Sequence, residues 1–147
     1  MASLILGTSC TWVAQRKALA DCDFSLNGVA LKNMDFTGFT VELRLNAKNP
    51  NTVDAVLDRL DYTLFMEGME VARGTVSEKQ TIPAKGHGII RTSLTVKYST
   101  VPKLREVVLP ALNKRKSRVK VLGTVHFDTP IGTISQDIQL QRTVRLE

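Results

Sequence analysis

Aromatic residues are scarce in this sequence. They account for 5% of the 147 residues, and Trp12 is the only tryptophan. Proteins that stack nucleic-acid bases on their surface use several exposed aromatic rings to do so, so the composition argues against that kind of site. The sequence also lacks the run of about 18 apolar residues that a membrane-spanning helix needs. We therefore predict neither a base-stacking surface nor a transmembrane segment.

Cysteine and histidine are almost absent. Both cysteines, Cys10 and Cys22, lie near the start of the chain, so they cannot form a disulfide framework for the whole domain. A disulfide between these two would require an oxidising compartment. The histidines His87 and His126 lie far apart and lack the cysteine or HExxH partners of a zinc site. We expect each to be a single exposed imidazole.

The common catalytic motifs are missing as well. The sequence contains no GxSxG, no P-loop and no GxGxxG. Cys22 lies between two aspartates, whose negative charge disfavours a reactive thiolate. Asp54, Asp58 and Asp61 lack the glycine and the ligand order of a calcium-binding loop, so we expect ordinary turn residues there. We predict no catalytic residue, no cofactor, no bound metal and no enzymatic activity.

What is present is the composition of a folded domain. Hydrophobic residues make up 43% and charged residues 23% of the chain, close to the averages of globular proteins. The length fits one domain, which we place at residues 21–147. The net charge of +6 favours weak contact with anionic partners but does not identify one.

The strongest local pattern runs from Gly38 to Lys48. Apolar and polar residues alternate there over ten positions, beginning with Phe39. A period of two residues is typical of a β-strand with one buried face. Asn49-Pro50-Asn51 then ends the strand, because proline has no N–H for the ladder and asparagine tolerates turns. Such a strand needs neighbouring strands and a second layer to cover its apolar face.

Six further stretches read as strands by the same criterion, with a bulge at Gly28 in the first of them. They are Asp23–Met34, Leu60–Met66, Met69–Val76, Ile90–Val96, Val119–Phe127 and Ile134–Leu146. Residues 49–58 and 77–88 are predicted to be connections. Seven evenly spaced strands with turn residues between them predict an antiparallel β-sandwich of the fibronectin type III or immunoglobulin kind.

One stretch changes period. Val101, Leu104, Val108 and Leu112 are separated by three or four residues, which predicts one short α-helix near residues 100–113. Pro110 is expected to end or kink that helix, because it lacks an N–H and crowds the preceding turn.

The densest run of charge follows the predicted helix. It comprises Lys114, Arg115, Lys116, Arg118 and Lys120. Such a run can bind phosphates or lipid head groups by neutralising their charge, and we treat it as a candidate patch for an anionic partner. The alternative is a solvated loop followed by the outward face of a strand, since no aromatic residue interleaves the run. Nucleic acid is not expected as a partner.

Residues 1–20 differ from the rest of the chain. Ser3–Cys10 is a short apolar piece followed by small residues and a cysteine, and it resembles the end of a bacterial lipoprotein signal. It lacks the basic start and the usual apolar core of about 7–15 residues. Two interpretations stay open. One is a signal remnant or tether with Cys10 as the lipidation site, and the other is a poorly ordered cytoplasmic tail.

Several segments together resemble the type-2 late embryogenesis abundant proteins, whose module is the water stress and hypersensitive response domain. The segments are Phe39–Asn51 with its terminal Asn49-Pro50-Asn51, then LDRLDYTLFMEG, ARGTVSEKQTIPAKG and GTVHFDTPIGTI. The likeness extends roughly from Asp23 to Leu146. It implies a fibronectin-type-III-like sandwich with one helix, no catalytic activity and a role in desiccation or other stress. In bacteria such domains often follow a lipoprotein signal, so the resemblance favours Cys10 as a lipidation site.

These observations lead to a functional prediction with one alternative. We predict a monomeric, non-enzymatic stress protein that protects or contacts membranes or other proteins. Its expected place is the periplasmic side of the bacterial cell envelope, anchored through Cys10, or else the cytoplasm. The alternative is a scaffold that binds a protein or an anionic lipid through a strand edge or through a basic loop at residues 114–120.

Overall fold

The computed structural model describes residues 22–100, 103–129 and 132–146. This part of the chain forms eight strands and one helix. In chain order they are β1 (Asp23–Lys32), β2 (Gly38–Lys48), β3 (Ala55–Met66), β4 (Met69–Val76), β5 (Gln80–Ile82), β6 (His87–Lys97), α1 (Leu104–Lys114), β7 (Lys116–Thr129) and β8 (Gly132–Arg145).

The strands form two antiparallel sheets. The first sheet has the order β1-β2-β6, and the second has the order β4-β3-β7-β8, with β5 paired to the beginning of β3. The predicted antiparallel β-sandwich with one short helix is confirmed. The predicted bulge in β1 is also present, because the register with β2 shifts between Leu26 and Gly28.

The alternation in β2 sets the inner face of the first sheet. Phe39, Val41, Leu43, Leu45 and Ala47 are all buried, each 2% exposed or less. The second sheet supplies the opposing layer from the inward residues of its two central strands, β3 and β7. Burying these two apolar faces against each other is the main favourable term in folding of this kind.

Tyr62 links the two sheets. It lies between Gly74 and Gly123 in the second sheet, where a Cβ atom on Gly74 would come within 2.9 Å of the ring carbon Cζ. The space left by these glycines lets the ring lie inside the sandwich, with its hydroxyl 2.9 Å from Thr92 Oγ1 on β6. Burial raises the pKa of the Tyr62 phenol, an effect that the hydrogen bond to Thr92 opposes.

Two predicted connections contain strands. β3 begins at Ala55, inside the segment 49–58, because Ala55 and Leu57 are fully buried and belong to the core. β5 lies inside the segment 77–88, where Ile82 is fully buried and pairs with Ala55. The described chain therefore has eight strands where the sequence predicted seven.

The helix differs from its prediction at both ends. It begins at Leu104 and continues beyond Pro110 to Lys114, so the proline does not end it. Leu104 and Ala111 are buried and hold the helix against the core on both sides of the proline. A single residue, Arg115, separates the helix from β7, and its φ of 54° makes the turn between them.

The sandwich has two ends, which we name for reference. The helix end contains loop 33–37, the turn at residues 67–68, helix α1, Arg115 and the end of β8. The opposite end contains Cys22, where the described chain enters β1, together with residues 49–54 and 83–86. Cys22 is buried, and Cys10, with which it could form a disulfide in an oxidising compartment, lies outside the described residues. In the described part of the chain, no helix has the length and apolar content needed to span a bilayer.

Candidate functional site at the helix end

The predicted anionic-partner patch is built from three kinds of backbone and is not a loop. Lys114 closes α1 and Arg115 forms the turn, while Lys116, Arg118 and Lys120 lie on β7. Because Ser117 and Val119 between them are buried, the strand period turns the three cationic side chains outward. The prediction that residues 114–120 form a basic loop is therefore wrong, because they form the end of a helix, a turn and the start of a strand. The predicted charges do lie together at the helix end.

Part of this charge is already paired. Arg118 Nε lies 3.2 Å from Glu67 Oε2, and the Arg118 N–H donates to Glu67 Oε1 at 3.0 Å. This backbone hydrogen bond is the first cause of the lowered pKa of the Glu67 carboxyl. Lys120 Nζ lies 4.6 Å from the centre of the Phe65 ring, a cation–π contact.

The remaining cations face solvent. Lys114, Arg115 and Lys116 are exposed, and among the described residues no carboxylate lies within ion-pair distance of any of them. Unpaired exposed cations can attract an anionic surface over about 10 Å at moderate salt. This group is the part of the predicted patch that is available to a partner.

The Asn49-Pro50-Asn51 motif lies at the opposite end and holds loops together. The Asn49 side chain is 1% exposed. Its Nδ2 donates to the carbonyl oxygens of Val53 at 2.8 Å and Ile82 at 3.1 Å, and its Oδ1 accepts the Asn51 N–H at 3.1 Å. Lys85 Nζ donates to the Pro50 carbonyl at 2.8 Å. The motif thus joins the end of β2 to β5 through protein hydrogen bonds.

His126 is not the exposed single imidazole that the sequence predicted, whereas His87 is exposed as expected. The His126 side chain is 18% exposed. Its Nε2 lies 3.2 Å from Asp61 Oδ2 and 3.3 Å from Arg59 Nη2, and its Nδ1 lies 3.0 Å from Ser135 Oγ. β3, β7 and β8 bring these side chains together on the outer face of the second sheet.

Asp61 is the anion of this cluster. Its Oδ1 accepts a hydrogen bond from Thr75 Oγ1 at 2.8 Å, which is the largest cause of the lowered pKa of its carboxyl. Arg59 Nε lies 3.1 Å from Oδ2 and adds to that lowering. Ser135, His126 and Asp61 lie in the order of a nucleophile triad. The guanidinium of Arg59, however, contacts both the imidazole and the carboxylate. The contacts form an ion-pair network on an open strand face, and we assign them no catalytic role.

A shallow groove of about 790 Å³ runs over the same outer face. Polar side chains from four strands line it, including Asp61, Thr63, Arg73, Thr75, Thr124 and Asp137. The strand alternation already indicated that these residues point outward. Which of them meet depends on the register between strands distant in sequence, and no local pattern carries that information.

The three aspartates considered as cation ligands do not gather. Asp54 Oδ1 accepts the Ala84 N–H at 2.8 Å, while Asp58 lies 3.8 Å from Lys79 Nζ. Among residues 22–100, 103–129 and 132–146, no three His, Cys, Asp or Glu side chains are grouped as the ligands of a metal ion would be.

Side chains cover parts of the strand edges that the sequence suggested for partner binding. At the edge of β1, Gln136 Nε2 and Arg142 Nη1 of β8 each donate at 3.0 Å, to the carbonyl oxygens of Cys22 and Leu26. At β6, Gln80 Nε2 donates to the Ile89 carbonyl at 3.0 Å. Occupied carbonyls are poor templates for an added strand.

Comparison with known proteins adds the following. A model of the late embryogenesis abundant protein family matches residues 44–142. No curated protein matches the sequence. The fold is similar to the solution structure of AT1g01470 from Arabidopsis thaliana, with a TM-score of 0.65 and 17% identity over 84% of this chain and 80% of that one.

Two other solved structures are similar. The solution structure of a candidate late embryogenesis abundant protein, At2g46140.1, has a TM-score of 0.58 and 19% identity over 99% of this chain and 84% of that one. A crystal structure of a protein from Archaeoglobus fulgidus has a TM-score of 0.52 and 18% identity over 84% of this chain and 98% of that one. At these identities the likeness concerns the fold alone.

Proposed function

Since this chain belongs to the late embryogenesis abundant protein family, type 2, and is thereby a stress-associated protein, we propose that it protects membranes or other proteins by direct contact when water is withdrawn. It does so as a folded module of the water stress and hypersensitive response kind, without catalysing a reaction. Its sandwich keeps its shape while its polar outer surface meets the client.

The observation that carries this proposal is the division between the interior and the surface. Among the described residues, the buried side chains are almost all apolar, and the buried polar residues are Asn49 and Ser117. The charged side chains lie outside, in pairs or facing solvent. A surface of this kind can replace water around a client, whereas an enzyme needs reactive groups gathered in a pocket.

The place of action is part of the proposal. Lipidation of Cys10 would hold the protein on the periplasmic side of a bacterial envelope, where drying first reaches the cell. An intact mass measured on the membrane fraction of the native host tests this, because a diacylglyceryl group on Cys10 adds its mass to the mature chain. A mass equal to the unmodified chain would exclude the anchor.

A drying experiment tests the function. A labile enzyme, and separately liposomes filled with a self-quenching dye, are dried and rehydrated with and without this protein. We expect more enzyme activity and more retained dye when the protein is present. A folded protein of the same size from an unrelated family, at equal mass, is the control for non-specific crowding.

A variant separates the role of the cationic patch from that of the fold. Lys114→Gln/Arg115→Gln/Lys116→Gln removes exposed charge without touching the core. Loss of liposome protection alone would assign the membrane contact to this patch. If the wild-type protein protects no better than the control protein, the proposed function is wrong.

A further inference from the structure

The helix end of the described chain presents several exposed apolar side chains. Of the four large apolar side chains that are exposed in the described residues, three lie at this end: Met34 (43% exposed), Phe36 (92%) and Leu109 (48%). The fourth, Val53 (37%), lies at the opposite end. A phenylalanine that keeps nine-tenths of its surface in water is unusual, because its burial would be favourable.

The loop that presents Phe36 is held by hydrogen bonds. Asp35 Oδ1 accepts from the Thr37 N–H at 2.8 Å, from Thr37 Oγ1 at 2.6 Å and from the Gly38 N–H at 3.1 Å. The Asp35 N–H in turn donates to the Gly38 carbonyl at 3.0 Å. Phe36 therefore projects from a closed turn and does not fold back onto the sheet.

Tyr98 connects this loop to the helix. Its N–H donates to the Thr37 carbonyl at 3.0 Å, and its ring lies 6.0 Å from the ring of Phe39. The guanidinium of Arg105 in α1 lies 5.1 Å from the centre of the Tyr98 ring. The apolar tip and the helix are thus parts of one surface.

Exposed cations are distributed over the same surface. Lys97 ends β6, Lys103 precedes α1, and Lys114, Arg115 and Lys116 follow along the chain. A projecting apolar tip with exposed cations at the same end of the sandwich matches the interface of an anionic bilayer, where acyl chains lie beneath negatively charged head groups. A second copy of this chain carries the same net charge of +6, and the repulsion between like charges disfavours it as the occupant.

From this arrangement we propose that the helix end docks on anionic phospholipid bilayers, with Phe36 and Met34 entering the head-group and acyl boundary and the cations contacting the phosphates. The inference names the partner of the proposed protective contact and rests on that function. It applies to the hydrated protein, before any drying.

A fluorescence experiment tests the insertion of the tip. The chain has one tryptophan, Trp12, so Trp12→Phe/Phe36→Trp places a single tryptophan on loop 33–37. With vesicles of about two-thirds phosphatidylcholine and one-third phosphatidylserine, we expect a blue-shifted emission that brominated lipids quench. The matched protein Trp12→Phe/Val53→Trp carries its tryptophan at the opposite end and should show neither effect. Equal responses from the two proteins would overturn the inference.

Vesicle sedimentation of the full unlipidated chain measures how much the apolar tip and the cations each contribute to membrane binding. Phe36→Ser should weaken partitioning about tenfold or more, since it removes an aromatic side chain from the apolar boundary. Phe36→Leu, which keeps the tip apolar, should retain most of the binding. Neutralising Lys114, Arg115 and Lys116 together should weaken binding about 100-fold and reduce its salt dependence. Val53→Ser is the control and should bind like the wild type.

Each of the other outcomes contradicts the proposal. Equal binding to pure phosphatidylcholine would remove the role of anionic lipid, and wild-type binding by Phe36→Ser would remove the role of the tip. Dimerisation that Phe36→Ser abolishes would make a second copy the occupant. A protein that protects a dried enzyme but binds no vesicles refutes this inference and leaves the proposed function standing, whereas failure in both assays refutes both.

Discussion

Asn49 shows how a single side chain can fix the end of a sandwich. It has no charge, yet it forms hydrogen bonds with two carbonyl oxygens and one N–H, in its own loop and in β5. The sequence indicated that the motif stops a strand. It could not indicate that the same amide also holds β5, because Ile82 lies 33 residues further along the chain.

The first prediction concerns this residue. Asn49→Ala removes three hydrogen bonds, one of them to the buried Ile82 carbonyl, so we expect a loss of about 2–3 kcal/mol in the free energy of unfolding, measured by urea denaturation. Asn46→Ala, an outward position on the same strand, is the control and should cost less than about 1 kcal/mol. Equal losses in the free energy of unfolding would mean that the Asn49 hydrogen bonds contribute no more to stability than an outward asparagine does.

The second prediction concerns the pH dependence that Asp61 gives to stability. Its hydrogen bond from Thr75 and the nearby Arg59 lower the pKa of its carboxyl below 3.8 in the folded protein. A carboxyl whose pKa is lower in the folded state stabilises that state at pH values above its pKa in the unfolded chain. This stabilisation is lost as the pH falls through the pKa of the folded state. Asp61→Asn should therefore be less stable than the wild type at neutral pH, and the difference should vanish in acid.

The size of this effect is small, because the Asp61 side chain is 44% exposed and solvent screens the pair. Urea denaturation at several pH values measures it. Asp137→Asn is the matched control, since Asp137 lies on the same face and its Oδ1 accepts a hydrogen bond from the Thr124 hydroxyl at 3.0 Å. We expect that variant to lose less stability than Asp61→Asn at neutral pH. A difference for Asp61→Asn that grows with acidification would contradict the assigned cause.

At the scale of the elements, long strands were predictable and short or interrupted elements were not. β2 was predicted to its exact bounds, because ten alternating residues leave no other period that fits. β5 has three residues, of which only Ile82 is apolar, so no period exists to detect. Its strand character comes from pairing with β3, and this is a tertiary contact.

Helix α1 is the element where local chemistry and tertiary packing disagree. Pro110 cannot donate to the Glu106 carbonyl four residues earlier, and an interior proline costs about 3 kcal/mol relative to alanine. The helix nevertheless continues to Lys114, with Leu104 and Ala111 buried on either side. Burial of these side chains offsets the local cost.

The third prediction follows from that conflict. Pro110→Ala should raise the free energy of unfolding by about 1–3 kcal/mol and slow amide exchange across Leu104–Lys114. Asn113→Ala, an exposed position on the same helix, is the control and should add less than about 0.7 kcal/mol. A less stable Pro110→Ala protein would show that the proline ring itself packs usefully beside Glu67 and Glu106 in the shallow cleft that they line.

For the whole molecule, the sequence predicted the architecture but not the distribution of surface features between its two ends. Alternation identifies which side chains face outward, so the sandwich and its apolar interior followed from it. Bringing Phe36, Leu109 and Lys114 to one end requires the path of the chain through both sheets. The cluster of Arg59, Asp61, His126 and Ser135 depends in the same way on the register of β3, β7 and β8.

The hydrogen bond between Tyr62 and Thr92 has a consequence for the sandwich at low water activity. The two hydroxyls form a direct hydrogen bond, and the same is true of Arg142 with the Leu26 carbonyl and of Gln136 with the Cys22 carbonyl. Bridges made of solvent molecules break when water activity falls, whereas direct bonds of this kind are retained. Direct hydrogen bonds between protein groups thus join the two sheets, and we expect the sandwich to keep its arrangement when water activity falls.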